Sequence, residues 1–246
     1  MRSTNHDRII FNGHDLSSIV MCRMERPIMA PVEVSRESVG GRHGDVFRRA
    51  RMQGYTVPVT IWIRAKDRRK VAEIRHKLAA MIWTEEPAAL YLPDDPSRYH
   101  LAVVEGDTSL GAITDELPTT TISFYVCDPI AYGNKRQESL ASSAVNVDAG
   151  GTWESFPTIR STTTGGTWKV TNITTGAYVE VSEDSAGSEI PSGSTLVCDM
   201  ANERLTINGY DMGVSVASDF FPIDGRMTLQ VTGGSGTTID WTERWL

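Results

Sequence analysis

Strict alternation of apolar and polar positions marks one stretch of the chain. Val57, Val59, Ile61 and Ile63 are aliphatic, and Pro58, Thr60, Trp62 and Arg64 stand between them. A period of two puts the four aliphatics on one side and predicts a strand with that face buried. Pro58 has no N–H to give a ladder, which predicts an edge or a bulge there. A few residues on, the period changes. Val71, Ile74, Leu78, Met81 and Ile82 recur at helical spacing and predict an amphipathic helix over 67–83. Asp67 is its expected N-cap, although Lys66, Arg68, Arg69 and Lys70 put positive charge where the helix dipole disfavours it.

Shorter patterns flank these two. Ile9-Ile10-Phe11 runs into Asn12-Gly13, a tight-turn signal, and segment 16–23 reads as a second strand. Segments 28–38 and 46–64 read as two long β arms around Gly40-Gly41-Arg42-His43-Gly44. Beyond the helix, strands are predicted at 88–92, 99–105 and 121–126, with a Pro93-Asp94-Asp95-Pro96 turn. The second half has no useful helical period. Short strand patterns recur at 155–160, 166–173, 177–182, 194–199, 204–208, 227–232 and 237–245, punctuated by glycine-containing turns. That spacing is the signature of a β-sandwich or jelly roll. The expected fold is mainly β: an antiparallel α+β domain over 1–133 with a long hairpin and one packed helix, a linker over 134–150, and an all-β domain over 151–246.

Charge supports a division. The chain of 246 residues has a net charge of −7, but residues 1–138 carry 19 Lys and Arg against 18 Asp and Glu. Residues 139–246 carry 5 against 13. An acidic balance argues against nucleic acid as a partner, because phosphate binding needs a basic footprint. No apolar run is long enough to cross a bilayer, and the N-terminus lacks the apolar core of a signal peptide, so a soluble, membrane-free protein is expected. Cys22, Cys127 and Cys198 are far apart, without the spacing of a disulfide scaffold or a thiolate zinc site.

Catalytic constellations are missing. The histidines His6, His14, His43, His76 and His100 show no metal-binding spacing, and the nearest grouping is His6-Asp7 with His14-Asp15. There is no nucleophile elbow, P-loop or dinucleotide fingerprint. The adjacent acids Glu85-Glu86, Asp94-Asp95, Asp115-Glu116 and Glu183-Asp184 fall in turn-like contexts, which suit solvated turns better than a glycosidase pair. No catalysis, cofactor or metal is expected. Arg36, Arg42, Arg48, Arg49 and Arg51 cluster at the arms, where alternation spreads them over both hairpin faces; they are candidate oligomer contacts. Trp153, Trp168, Trp241 and Trp245 lie in the β-rich half as candidate glycan or partner surface, against a core role that sandwich tryptophans commonly take.

The order of these pieces resembles the distal tail proteins of long-tailed, non-contractile bacteriophages. The resemblance begins at Phe11-Asn12-Gly13, continues through Gly40–Gly44, strand Val57–Ile63 and the helix, and then through Ala89-Leu90-Tyr91-Leu92-Pro93-Asp94-Asp95-Pro96 with Tyr99. It continues with Ile122-Ser123-Phe124-Tyr125-Val126-Cys127-Asp128-Pro129, the stretch 146–157, Leu205-Thr206-Ile207-Asn208-Gly209 and 218–223. The resemblance implies a virion structural protein whose first domain forms a ring, typically a hexamer, between the tail tube and the tail-tip hub. It implies a galectin-like second domain available to receptor-binding proteins, and assembly in the host bacterial cytoplasm. A cyclic ring needs two different patches per subunit, and a long hairpin supplies one. The alternative is a carbohydrate-binding module that uses the sandwich to hold host surface glycan.

Overall fold

The computed structural model describes residues 7–110, 118–183 and 187–246. Asp115-Glu116, His6 and Asp184 lie outside them. The chain divides into two compact units, Met1–Ala131 and Tyr132–Leu246.

The first unit contains β1 (Ile10–Phe11), β2 (His14–Asp15), β3 (Met21–Met24), β4 (Val32–Ser38), β5 (Asp45–Met52), β6 (Tyr55–Trp62), α1 (Arg68–Ile82), β7 (Ala88–Leu92), β8 (Asp95–Glu105) and β9 (Thr119–Val126). Seven of its strands form an antiparallel ladder in the order β2-β1-β7-β8-β9-β6-β3. The Asp7 N–H donates to the Cys22 carbonyl at 3.0 Å, so the residues leading into β1 also hydrogen-bond β3. Asn12 and Gly13 have φ of 49° and 76°, the left-handed pair that a two-residue hairpin between β1 and β2 requires. The alternating strand is β6, with Val57, Val59, Ile61 and Ile63 buried against Phe11, Leu90, Ile122 and Phe124. Val71, Ile74 and Leu78 of α1 complete that core. The Asp67 side chain accepts from the Lys70 N–H at 2.8 Å and caps the helix.

Three expectations are corrected in this unit. The 16–23 strand is a 3-10 turn at Leu16–Ser18 followed by β3, because the Asp15 carboxylate accepts from the Ser17 N–H and folds the chain there. The single arm 46–64 is two strands, β5 and β6, broken at Gln53-Gly54. Pro58 sits in a strand paired on both sides. Its missing N–H is tolerated because the β3 ladder ends at Met24↔Val59, where the Pro58 carbonyl accepts from the Glu25 N–H.

The second unit contains β10 (Ala131–Ser139), β11 (Val145–Asp148), β12 (Thr158–Thr163), β13 (Trp168–Asn172), β14 (Tyr178–Val181), β15 (Thr195–Asp199), β16 (Arg204–Ile207), β17 (Tyr210–Asp211), β18 (Arg226–Thr232) and β19 (Gly234–Trp245). One layer runs β17-β16-β15-β12-β19-β10 and the other β11-β18-β13-β14. Between them lie Ile159, Leu196, Cys198 and Ile239 from the first layer, with Trp168, Val170, Val179 and Leu229 from the second. This is the mainly-β sandwich the spacing predicts. The expected linker 134–150 is not one: it carries most of β10 and all of β11. β10 is polar and largely exposed, held by its ladder rather than by an apolar face, so it has no alternation to read.

Candidate assembly surface

Among the described residues the strands β4 and β5 pair only with each other, making a two-stranded arm that leaves the ladder of the first unit. In an antiparallel pair, residues directly opposite share a face. The register Val32↔Met52, Val34↔Ala50 and Arg36↔Phe47 therefore puts Val32, Val34, Ala50, Met52 and Phe47 on one side. Arg48 is the extra residue of a bulge between Ser35↔Arg49 and Arg36↔Phe47, and this keeps Phe47 in line with Val34. Only Met52, at the base, packs on the core of the unit. Val34 is 51% exposed and Phe47 62%. An apolar ribbon face of this kind, open to water, is a candidate interaction site.

The arginines divide between the two faces, as alternation predicts. Arg36 lies on the apolar side and pairs with Asp45 at 3.4 Å. Arg49 and Arg51 lie on the opposite side with Glu33 and Glu37. Arg48 holds Glu37, its Nε donating at 2.8 Å, and Arg42 sits in the turn at the tip, where its N–H reaches the Val39 carbonyl. The arm is thus charged on one side and greasy on the other, and sequence reasoning on the arginines alone misses the second side. The signal is present in Val32-Glu33-Val34, the same alternation that marks β6.

The base of the arm is anchored by Arg26 and His100, which no motif marks, together with Asp94 of the Pro93–Pro96 turn. Arg26, in the segment leading to β4, pairs with Asp94 at 2.9 Å and donates to His100 Nε2 at 3.0 Å. His100 is buried, with the Tyr55 ring edge-on at 6.3 Å. Burial, reinforced by the Arg26 charge, pushes its pKa down to about 4, so the ring is neutral and Nε2 is free to accept. The Gln53 N–H donates to the Pro31 carbonyl at 2.9 Å and closes the arm at its other root. At Gly54 a Cβ would collide with the Tyr125 hydroxyl and the Val126 carbonyl, so a residue without a side chain is required where the arm rejoins β6.

Elsewhere in this unit a groove of about 430 Å³ opens between α1 and the β6–β9 ladder. Its walls include Ile63, Leu78, Ile82 and Leu110, with Arg75 and Asp107 at its margin.

The remaining candidates separate cleanly. Trp168 and Trp241 are buried, and the Trp241 indole N–H donates to the Ala149 carbonyl at 2.7 Å. They are core residues rather than glycan surface, because inward positions of facing layers need large side chains. Trp153 and Trp245 are half-buried. Asp94 and Asp95 are held by Arg26 and Arg98 respectively, not by each other. Glu85 and Glu86 are exposed at the helix exit, and Glu183 pairs with Glu189 through the backbone, in an isolated antiparallel bridge. No group of three metal-ligating side chains occurs among the described residues. Burial pushes the Cys22 and Cys198 thiols up to about 12, which leaves them protonated and inert.

Comparison with known proteins agrees with this architecture unit by unit. Residues 11–126 match the family described as phage tail protein RIFT-related domain, and residues 150–245 match the siphovirus-type tail component, C-terminal domain. The distal tail protein of Bacillus phage SPP1 is 21% identical over 97% of this chain and 95% of its own length. The crystal structure of SPP1 Dit has the same fold, with a TM-score of 0.82 at 17% identity, covering 98% of this chain and all of that one. A chain of the phage p2 baseplate in its Ca-activated conformation has a TM-score of 0.50 at 9% identity, covering 97% of each. The same baseplate with Sr gives 0.51 at 9%, covering 96% of this chain and 97% of that one. Matched in order across both of its units, the chain belongs to the siphophage distal tail protein family.

Proposed function

We propose that this structural tail protein forms a ring, a hexamer, at the distal end of a phage tail. The ring joins the tail tube to the tail-tip hub. The second unit, Tyr132–Leu246, offers a surface for receptor-binding proteins. The observation that carries the reading is the arm: an apolar ribbon face with no partner among the described residues of its own chain, on a protein whose relatives are baseplate and hub-adsorption components. Copies related by a rotation meet through two different patches, and an element that projects from one subunit is suited to reach the next. The reading makes the protein non-enzymatic, a scaffold whose acids serve turns and ion pairs. The glycan-binding alternative is weakened by the burial of Trp168 and Trp241.

Light scattering and negative-stain imaging of the purified chain test the reading. Wild type is expected to assemble into rings as concentration rises, and Val34→Asp with Phe47→Asp to remain monomeric. Both side chains are exposed in the single chain, so the double variant should unfold at the same temperature as wild type. A wild type that stays monomeric at every concentration, alone and with its tail partners, would overturn the ring.

A further inference from the structure

Among the described residues, two surfaces of the first unit carry no occupant, and they match each other. The first is the apolar face of the arm, where Phe47 lies beside the ion pair of Arg36, directly opposite it, and Asp45, two residues along the same side. The second is the groove between α1 and the β6–β9 ladder, with Leu78 and Ile63 at its floor. Ile82 and Leu110 in its walls are only partly covered. Its margin carries one cation and one anion. Among the described residues, Arg75 has no acidic partner within ion-pair distance, and Asp107 accepts only from the Ser109 N–H and hydroxyl, at 2.9 and 2.6 Å. The arm offers an aromatic knob beside a cation and an anion that pair with each other. The groove offers an apolar slot flanked by an anion and a cation.

We propose that the arm of one copy seats in the α1 groove of the next, with Phe47 in the slot, Arg36 facing Asp107 and Asp45 facing Arg75. The inference rests on the ring reading and names the second patch that a cyclic assembly needs. Seating removes Phe47, Val34, Ile82 and Leu110 from water together, and the two charge pairs fix the direction in which the arm lies. Because arm and groove are different surfaces, the contact is head-to-tail and repeats around a ring without pairing the same patch with itself.

Cross-linking between differently labelled copies tests it. Val34→Cys and Ala79→Cys are made in separate full-length chains, both with the exposed Cys127 changed to serine, and the two are mixed and treated with a short thiol cross-linker. Val34 shares the face of Phe47, and Ala79 lines the groove. A covalent heterodimer that appears only in the mixture is the expected result. If the mixture assembles into rings but yields no heterodimer, the groove is overturned while the ring stands. If wild type does not assemble at all, the ring reading fails and the groove with it. Should the cysteine chains themselves fail to assemble, charge reversal decides. Reversing the arm pair (Arg36→Glu with Asp45→Lys) and reversing the groove charges (Arg75→Glu with Asp107→Lys) are each expected to weaken assembly about tenfold, and all four changes in one chain to restore it to within about threefold of wild type. Failure of the combined variant to recover overturns the pairing.

Discussion

Arg26 is largely covered because two different residues hold its guanidinium, Asp94 on one side and the neutral ring of His100 on the other. The histidine can accept only while it is unprotonated, which makes the anchor sensitive to acid. His100 has a folded-state pKa of about 4, below its ordinary value of 6.5, because burial and then the Arg26 charge disfavour the imidazolium. Between those values the unfolded chain takes up a proton that the folded one does not. The contribution is therefore fully present above pH 6.5 and is lost as pH falls toward 4. It amounts to roughly 3 kcal/mol at most. Denaturant titrations of wild type across this range should show that loss, and His100→Gln should flatten the curve. Asp94→Asn tests the other side of the anchor. Asp94 is partly exposed, so the variant should cost only about 1 kcal/mol of fold stability while weakening assembly, since the arm loses part of its anchor. No change in either property would leave Arg26 without a role at the arm.

At the scale of elements, α1 and the arm follow opposite rules. The helix starts with Arg68, Arg69 and Lys70, which its dipole disfavours, yet it forms because Val71, Ile74 and Leu78 are buried. Asp67 supplies the cap, and Glu73 draws off part of the charge by pairing with Lys70 at 2.9 Å. Asp67→Ala should cost about 1 kcal/mol, read as a shift in the midpoint of thermal or denaturant unfolding. A cost near zero would mean that packing alone sets the helix start. The arm has an equally clear alternating pattern and no burial to match it. Val34 alternates as Val57 does, but Val57 is sealed in the core and Val34 is half in water. Such a ribbon is marginal on its own, which explains why its base is tied by Arg26, Gln53 and Met52.

For the molecule as a whole, the division into two units assigns β10 from Tyr132 onward to the sandwich. The reason is chemical. Glu243 on β19 has a side chain only 5% exposed, and its partners are the Asn134 N–H at 3.1 Å and the Arg136 guanidinium, both on β10. Burial alone would push the Glu243 carboxyl up, but hydrogen bonds from Arg136 and Asn134, with the Arg136 charge, hold it below its ordinary value. Cutting the chain at 150 strips those partners from a buried carboxylate, which is costly. A fragment of residues 132–246 should therefore fold cooperatively, and 150–246 should unfold at a clearly lower temperature or not fold at all. Calorimetry on both fragments checks this, and equal stability would remove β10 from the unit.

The sequence by itself determined the local choices. Helix spacing fixed α1 to within a residue at each end, alternation marked β6, Asn12-Gly13 and Asn208-Gly209 announced turns with both residues at positive φ, and the order of short motifs disclosed the family. These are short-range properties, set by backbone sterics and by which side of an element is apolar. Only the tertiary structure decided which apolar sides are covered. It sealed Trp168 and Trp241 inside the sandwich and left Val34 and Phe47 in water, although nothing in their local patterns distinguishes the two cases. It broke the long arm at Gly54 because Tyr125, some seventy residues on, occupies the space a side chain would need. It made a strand of the polar segment 131–139 through ladder hydrogen bonds, and it brought Arg26, Asp94 and His100 together from three separate stretches of chain. Burial and long-range pairing depend on what arrives from elsewhere in the chain, and a local pattern carries no record of that.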